Sequence, residues 1–338
     1  MAPRNRILYL VYFGILLCLA QPALAQGTQY AVLIGGLGGS EEYTNRFGQY
    51  LSETRRALVD NLGFEASNVI VLAEPALQGQ NFVTDVSTAE NIRARFQRLA
   101  STVRSDDHVY VILFGHGSFD GTRAQLNIPQ RDLSDSDYAD LVASLQAGRV
   151  VLVNTASASG PFVQSLSGPD RIVITATRSG NERNETVFPE YFVEALANPA
   201  ADLNKDGSLT VQEVFVYAAR NAAASFDAAG HLATEHALLE DTGDGKGFRV
   251  EELDQEGEGG LASVTYLKRS ATIAHASSTA ASASPEQARQ REQLEREIAA
   301  LKSRKASLGE DDYYAQLEAL FVQLARLNDE IEASASRE

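Results

Sequence analysis

The sequence predicts an α/β protein: a three-layer α/β/α domain on a mostly parallel sheet, followed by a C-terminal α-helical hairpin or coiled coil. Three observations carry this expectation. Short, almost wholly apolar runs recur between amphipathic stretches, the pattern of parallel strands covered on both faces. Glycines and small polar residues stand directly after those runs, where the functional turns of an open parallel sheet lie. Beyond residue 284, leucines and isoleucines settle into three- and four-residue spacing, which is helical.

Residues 1–25 predict a signal peptide. Arg4 and Arg6 give a positive start, Ile7 to Ala20 an apolar core, and Ala23-Leu24-Ala25 a small-x-small cleavage site. The apolar core is short of the ~20 residues that cross a bilayer, and a retained anchor is the competing reading. Cleavage leaves 313 residues with 45 acidic and 27 basic side chains, a net charge of -18, in an exported protein, periplasmic or secreted. The one cysteine, Cys18, leaves with the peptide. A disulfide framework, a cysteine-built metal site and a thiol nucleophile are thereby excluded from the mature chain. With 45 acidic residues against 29 Lys and Arg and no long basic run, nucleic acid is excluded as a partner.

Strands are predicted at Tyr30–Ile34, Val69–Leu72, Val109–Phe114, Val150–Val153 and Ile172–Ala176. Helices are predicted over 45–62, 87–101, 137–146, 188–196 and 211–224, the second opening on Ser87-Thr88-Ala89-Glu90 with a capping residue. The domain is placed at 26–269. An Ala/Ser-rich linker follows at 270–284, and Pro285 opens the helical tail at 285–338. Its apolar positions are Leu294, Ile298, Leu301 and Leu308, then Leu317, Leu320, Leu324, Leu327 and Ile331, with a break at Gly309. Two such helices must pack on each other, on the domain or on a second copy. A homo-oligomer or partner docking through 285–338 is therefore expected.

Two strand ends carry the chemistry. Val109 to Phe114 runs into Gly115-His116-Gly117, placing an imidazole between two glycines at a strand's carboxyl end. The Gly117 N–H is a candidate oxyanion donor; a histidine that merely fills a tight turn is the plainer reading. The next strand ends in Asn154-Thr155-Ala156-Ser157-Ala158-Ser159-Gly160. Adjacent strands bring this turn beside His116, as a nucleophile–base dyad of Ser157 and His116 needs. Gly-x-Ser-x-Gly is missing, and no carboxylate is assigned to orient the imidazole.

Together the two strand-end motifs resemble the legumain and caspase superfamily of cysteine peptidases, most of all its legumain-like bacterial branch. His116-Gly117 is similar to that family's catalytic His-Gly pair. Ala156-Ser157-Ala158-Ser159-Gly160 is similar to its Ala-Cys-Glu-Ser-Gly segment, with Ser157 at the cysteine's position. Ala31 to Gly36 and the run Ile172 to Ala176 add to a resemblance that covers roughly residues 29–250. It implies a peptidase fold whose central sulfur has been lost. A hydroxyl needs a better-held base than a thiol does, so the resemblance implies a pseudopeptidase that binds or scaffolds protein or peptide. A serine endopeptidase using Ser157 and His116 is the alternative. Ser159 matches the family's structural Ser-Gly pair.

Residues 202–213 read DLNKDGSLTVQE and fit the EF-hand calcium loop. Oxygen ligands stand at Asp202, Asn204 and Asp206, a glycine at Gly207, a carbonyl at Ser208, and further ligands at Thr210 and Glu213. A structural calcium ion is expected; a metal-free turn capping the next helix is the competing reading. Residues 231–247, with Asp241, Asp244 and three glycines, could form another ion-binding or substrate-side loop, but the pattern matches no metal template well and reads rather as an exposed turn. His231 and His236 are not spaced as a zinc pair.

Overall fold

The computed structural model describes residues 27–253, 258–268, 284–303 and 308–335. The predicted signal peptide lies outside these residues, as does the predicted linker except for Ser284. In chain order the strands are β1 (Gln29–Gly35), β2 (Val69–Ala73), β3 (Asp85–Val86), β4 (His108–Phe114), β5 (Gly117–Phe119), β6 (Ala124–Leu126) and β7 (Leu133–Ser134). They continue with β8 (Arg149–Asn154), β9 (Arg171–Thr175), β10 (Leu209–Thr210), β11 (Leu238–Glu240) and β12 (Tyr266–Lys268). The helices are α1 (Glu41–Arg56), α2 (Ala89–Ala100), α3 (Asp135–Ala143), α4 (Phe162–Leu166), α5 (Phe188–Ala195), α6 (Val211–Ala229), α7 (Gly260–Ser263), α8 (Pro285–Ser303) and α9 (Glu310–Ala335).

Seven strands form the central sheet in the order β11-β9-β8-β4-β1-β2-β3. All neighbours run parallel except β11, which is antiparallel to β9. Alternate residues of each strand face opposite layers, as the strand period of two requires. Ala31, Leu33, Tyr110, Ile112, Val151 and Val153 pack beneath α1, α5 and α6. Val32, Ile34, Val109, Val111, Val150 and Leu152 pack beneath α2, α3 and α4. This double coverage is why the strands read as unbroken apolar runs.

Several elements depart from the sequence reading. Helix α1 starts at Glu41, capped by the Ser40 side chain on the Tyr43 N–H and led by Glu41 and Glu42. Both features favour a helix start. It runs into a π turn at Ala57–Asn61. β5, β6 and β7 form a small antiparallel sheet directly after His116, built from strands of two or three residues with no clear apolar period. β11 is a buried edge strand where an exposed turn was expected, with Glu240 fully buried. Helices α8 and α9 enclose a small apolar cluster of Leu294, Leu327 and Ile331. Among the described residues no helix is long and apolar enough to cross a membrane.

Candidate functional site

The sheet order reverses direction between β1 and β4, the place where open α/β sheets form a crevice at their carboxyl ends. Here backbone fills that crevice. The Gly36 N–H donates to the Phe114 carbonyl at 2.7 Å, and the Asn127 carbonyl accepts from Leu37 at 2.8 Å. Asn127 in turn donates its N–H to the His116 carbonyl at 3.0 Å, so the small sheet fastens both strand-end turns.

The His116 ring lies against α1. It meets Tyr43 edge-on at 4.5 Å between centroids and Phe47 at 5.1 Å, with interplanar angles of 78° and 71°. The Tyr43 hydroxyl donates to Glu185 Oε2 at 2.8 Å, and Arg46 forms ion pairs with both Glu185 and Glu42. That bond to Glu185 holds the Tyr43 hydroxyl above its ordinary pKa. His116, Ser157, Thr155, Arg46, Phe47, Tyr50, Glu185 and Thr186 line one narrow pocket. Tyr43, Arg46, Phe47 and Glu185 were not singled out from the sequence. The helical pair Tyr43–Phe47, four residues apart and just ahead of a glycine, was the available signal.

Ser157 is buried at 6 % exposure and stands at the end of β8, beside β4 as expected. Its hydroxyl is held by Gly117 twice: the Gly117 N–H donates to Oγ at 3.2 Å, and Oγ donates to the Gly117 carbonyl at 3.2 Å. Neither His116 ring nitrogen hydrogen-bonds to it or to any other described residue. The structure thus brings Ser157 to Gly117 and places His116 in the same pocket without joining the two polar ends of a dyad. The N–H expected to serve an oxyanion donates instead to the serine. Ser159 is structural, bonding Thr177 through its side chain at 3.1 Å and accepting the Thr177 N–H at 3.2 Å.

The Ser157 loop is braced from behind. Ala158 has a left-handed φ of 54°, a conformation that side chains adopt at a cost. Its N–H donates to the Glu182 carbonyl at 2.7 Å. The Glu182 carboxylate accepts from His236 Nδ1 at 2.6 Å and from the His236 and Arg178 N–H groups. The neighbouring Glu235 accepts from the Val187 and Phe188 N–H groups at the start of α5, at 2.7 and 2.9 Å. Burial pushes its carboxyl up to about 7, against those two hydrogen bonds.

The predicted calcium loop keeps the internal bonds of such a turn. Asp202 accepts from the Asp206 and Gly207 N–H groups, Asn204 from Asp206, and Asp206 from Ser208. Lys205 and Gly207 are left-handed at φ 59° and 80°. Glu213 reaches back to the Leu203 and Asn204 N–H groups at 3.2 and 3.4 Å, which sets its carboxylate against the loop. Burial raises its pKa, as expected of a carboxylate placed where a cation would neutralise it. Thr210 is committed elsewhere, since its hydroxyl and Glu213 form the capping box of α6. Glu213 shares that commitment through Oε2, so the side-chain oxygens seen bonding the loop's own N–H groups are those of Asp202, Asn204, Asp206 and Glu213 Oε1. Among the described residues no three His, Cys, Asp or Glu side chains are already arranged as a metal-holding group. β12 pairs antiparallel with β10 at the loop's exit, giving the single loop a partner strand.

Searches for relatives found no protein-family model that matches the chain and no curated protein that matches it significantly.

Proposed function

We propose that the chain is an exported pseudopeptidase of the legumain and caspase kind that binds protein or peptide without cutting it. The observation that carries this reading is the double hydrogen bond of the Ser157 hydroxyl to the Gly117 backbone. A serine nucleophile must hand its proton to a base, and here the proton points at a carbonyl while the imidazole sits among aromatic rings. The absence of cysteine downstream of Cys18 supports it. The test is a fluorophosphonate probe applied to the mature chain, with labelled residues mapped by mass spectrometry. No label on Ser157 is the expected result. Label on Ser157 that disappears in His116→Ala overturns the reading in favour of a serine endopeptidase.

In this reading Asp202, Asn204, Asp206, Ser208 and Glu213 hold a structural calcium ion that fixes the start of α6. Calcium about 100-fold above its Kd is then expected to stabilise the chain by ~2.7 kcal/mol, a rise in melting temperature of roughly 4 °C. Glu213→Gln should lower that rise while keeping the helix cap. An unchanged rise in the variant counts against the loop.

Residues 285–335 belong to the same proposal as a helical hairpin for docking or self-association. The shared cluster of Leu294, Leu327 and Ile331 supports the hairpin, and the exposed Tyr314, Phe321 and Val322 on α9 offer apolar surface for a second copy or a partner.

A further inference from the structure

At the antiparallel edge of the sheet three carboxylates are buried together: Glu240 at 0 %, Asp241 at 7 % and Glu258 at 3 % exposure. Asp241 is fully used. Its two oxygens accept the Gly259 and Ala262 N–H groups at 2.9 and 2.8 Å, capping α7, and Arg296 on α8 brings it an opposite charge. Glu240 and Glu258 are not so provided. Each turns Oε1 to one and the same hydroxyl, that of Thr242, at 3.4 and 3.1 Å. A hydroxyl has one proton and serves one of them at a time. Glu240 Oε1 also takes the Thr242 and Gly243 N–H groups, at 3.1 and 2.5 Å. Both Oε2 atoms are buried without a hydrogen-bond donor among the described residues. The buried Ser167 hydroxyl is near enough to favour the charged form of Glu240, yet it makes no bond of proper geometry.

Buried carboxylate oxygens without donors are rare, because each forfeits its hydration. The charged groups that bear most on Glu258 are Asp241, Glu240 and Asp244, all negative. A positive species is what the pair lacks. We infer that Glu240 and Glu258 form a second cation site, taking a hard divalent ion of the calcium class between the sheet edge and the turn before α7. The donors are oxygens alone, with no histidine or cysteine, which selects calcium over zinc. Two carboxylates cancel a divalent charge. Among the described residues no third His, Cys, Asp or Glu joins the pair as a ligand, so the Ser167 hydroxyl, backbone carbonyls and water must complete the shell. The site shares no residue with the 202–213 loop and does not depend on the proposed function.

Calcium titration of the full mature chain by calorimetry tests this in the Glu213→Gln background, where the loop is silenced. One equivalent of calcium is expected to bind, and Glu258→Gln added to that background should weaken it at least tenfold. Hydrogen exchange on the unaltered chain gives a second measurement that needs no variant. Calcium should slow exchange of the amides at 238–243 and 258–262 separately from those at 202–213. Calcium binding unchanged by Glu258→Gln, or exchange at 238–243 indifferent to calcium, overturns the site and leaves the pair sharing a proton.

Discussion

Gly117→Ala is expected to destabilise the chain by on the order of 3 kcal/mol and to unseat Ser157. A β-carbon at residue 117 would stand 1.9 Å from the Ser157 carbonyl oxygen and 3.3 Å from Ala156 Cβ. The first obstacle is backbone, so no side chain can swing aside to make room. The turns after β4 and β8 must separate, and both hydrogen bonds between Gly117 and the Ser157 hydroxyl go with them. In a chain of this size that corresponds to a fall in melting temperature of roughly 4–5 °C. Gly260→Ala is the control, since its β-carbon would meet nothing closer than Arg296 Cδ at 3.9 Å. A Gly117→Ala chain that melts with the unaltered protein would show that the two turns are not in this contact.

Stability is expected to fall as pH rises from about 4.5 to about 7, with Glu235 as a main cause. Its folded-state pKa is raised from 4.5 to about 7, first by burial and then, against its two backbone hydrogen bonds, by the charge of Glu182. Over that window the native state holds a proton that the unfolded chain has released. The protonated group's contribution is complete below about 4.5 and is lost as pH climbs through 7. A shift of this size corresponds to about 3 kcal/mol. Urea midpoints between pH 4.5 and 8 measure the total, and Glu235→Gln isolates this group by flattening the slope. A slope identical in the variant would assign the dependence elsewhere.

The layered fold was legible because its strands are buried on both faces. A run such as Val109–Phe114 can be little else when both faces meet helices. What escaped was held by polar chemistry instead. Glu240 and Asp241 read as solvent-facing, yet Gly243, Gly259 and Ala262 supply the N–H groups that accompany them into the interior. β5, β6 and β7 are too short to show a period. Within the pocket, strand order put His116 near Ser157 correctly. The direction each side chain takes was not written in the motifs. It depends on Tyr43 and Phe47, some seventy residues upstream of His116, and on the close backbone approach at Gly117.

One small contact bears on how the molecule comes into being. The Tyr266 carbonyl, in the last strand of the domain, accepts from Gln29 Nε2 at 2.9 Å in the first strand and from the Tyr110 hydroxyl at 3.0 Å in the central one. Tyr266 also pairs with Thr210. The domain is sewn shut by its own final stretch, across 237 residues of sequence. Closure of so long a loop is slow, and until it happens the two-stranded sheet of β10 and β12 is incomplete. A chain emerging from its amino end therefore leaves β10 without its partner strand, and the Gln29 and Tyr110 side chains without this carbonyl, until the segment around residue 268 has arrived, and shortening it before Tyr266 removes the closing stitch rather than a dispensable end.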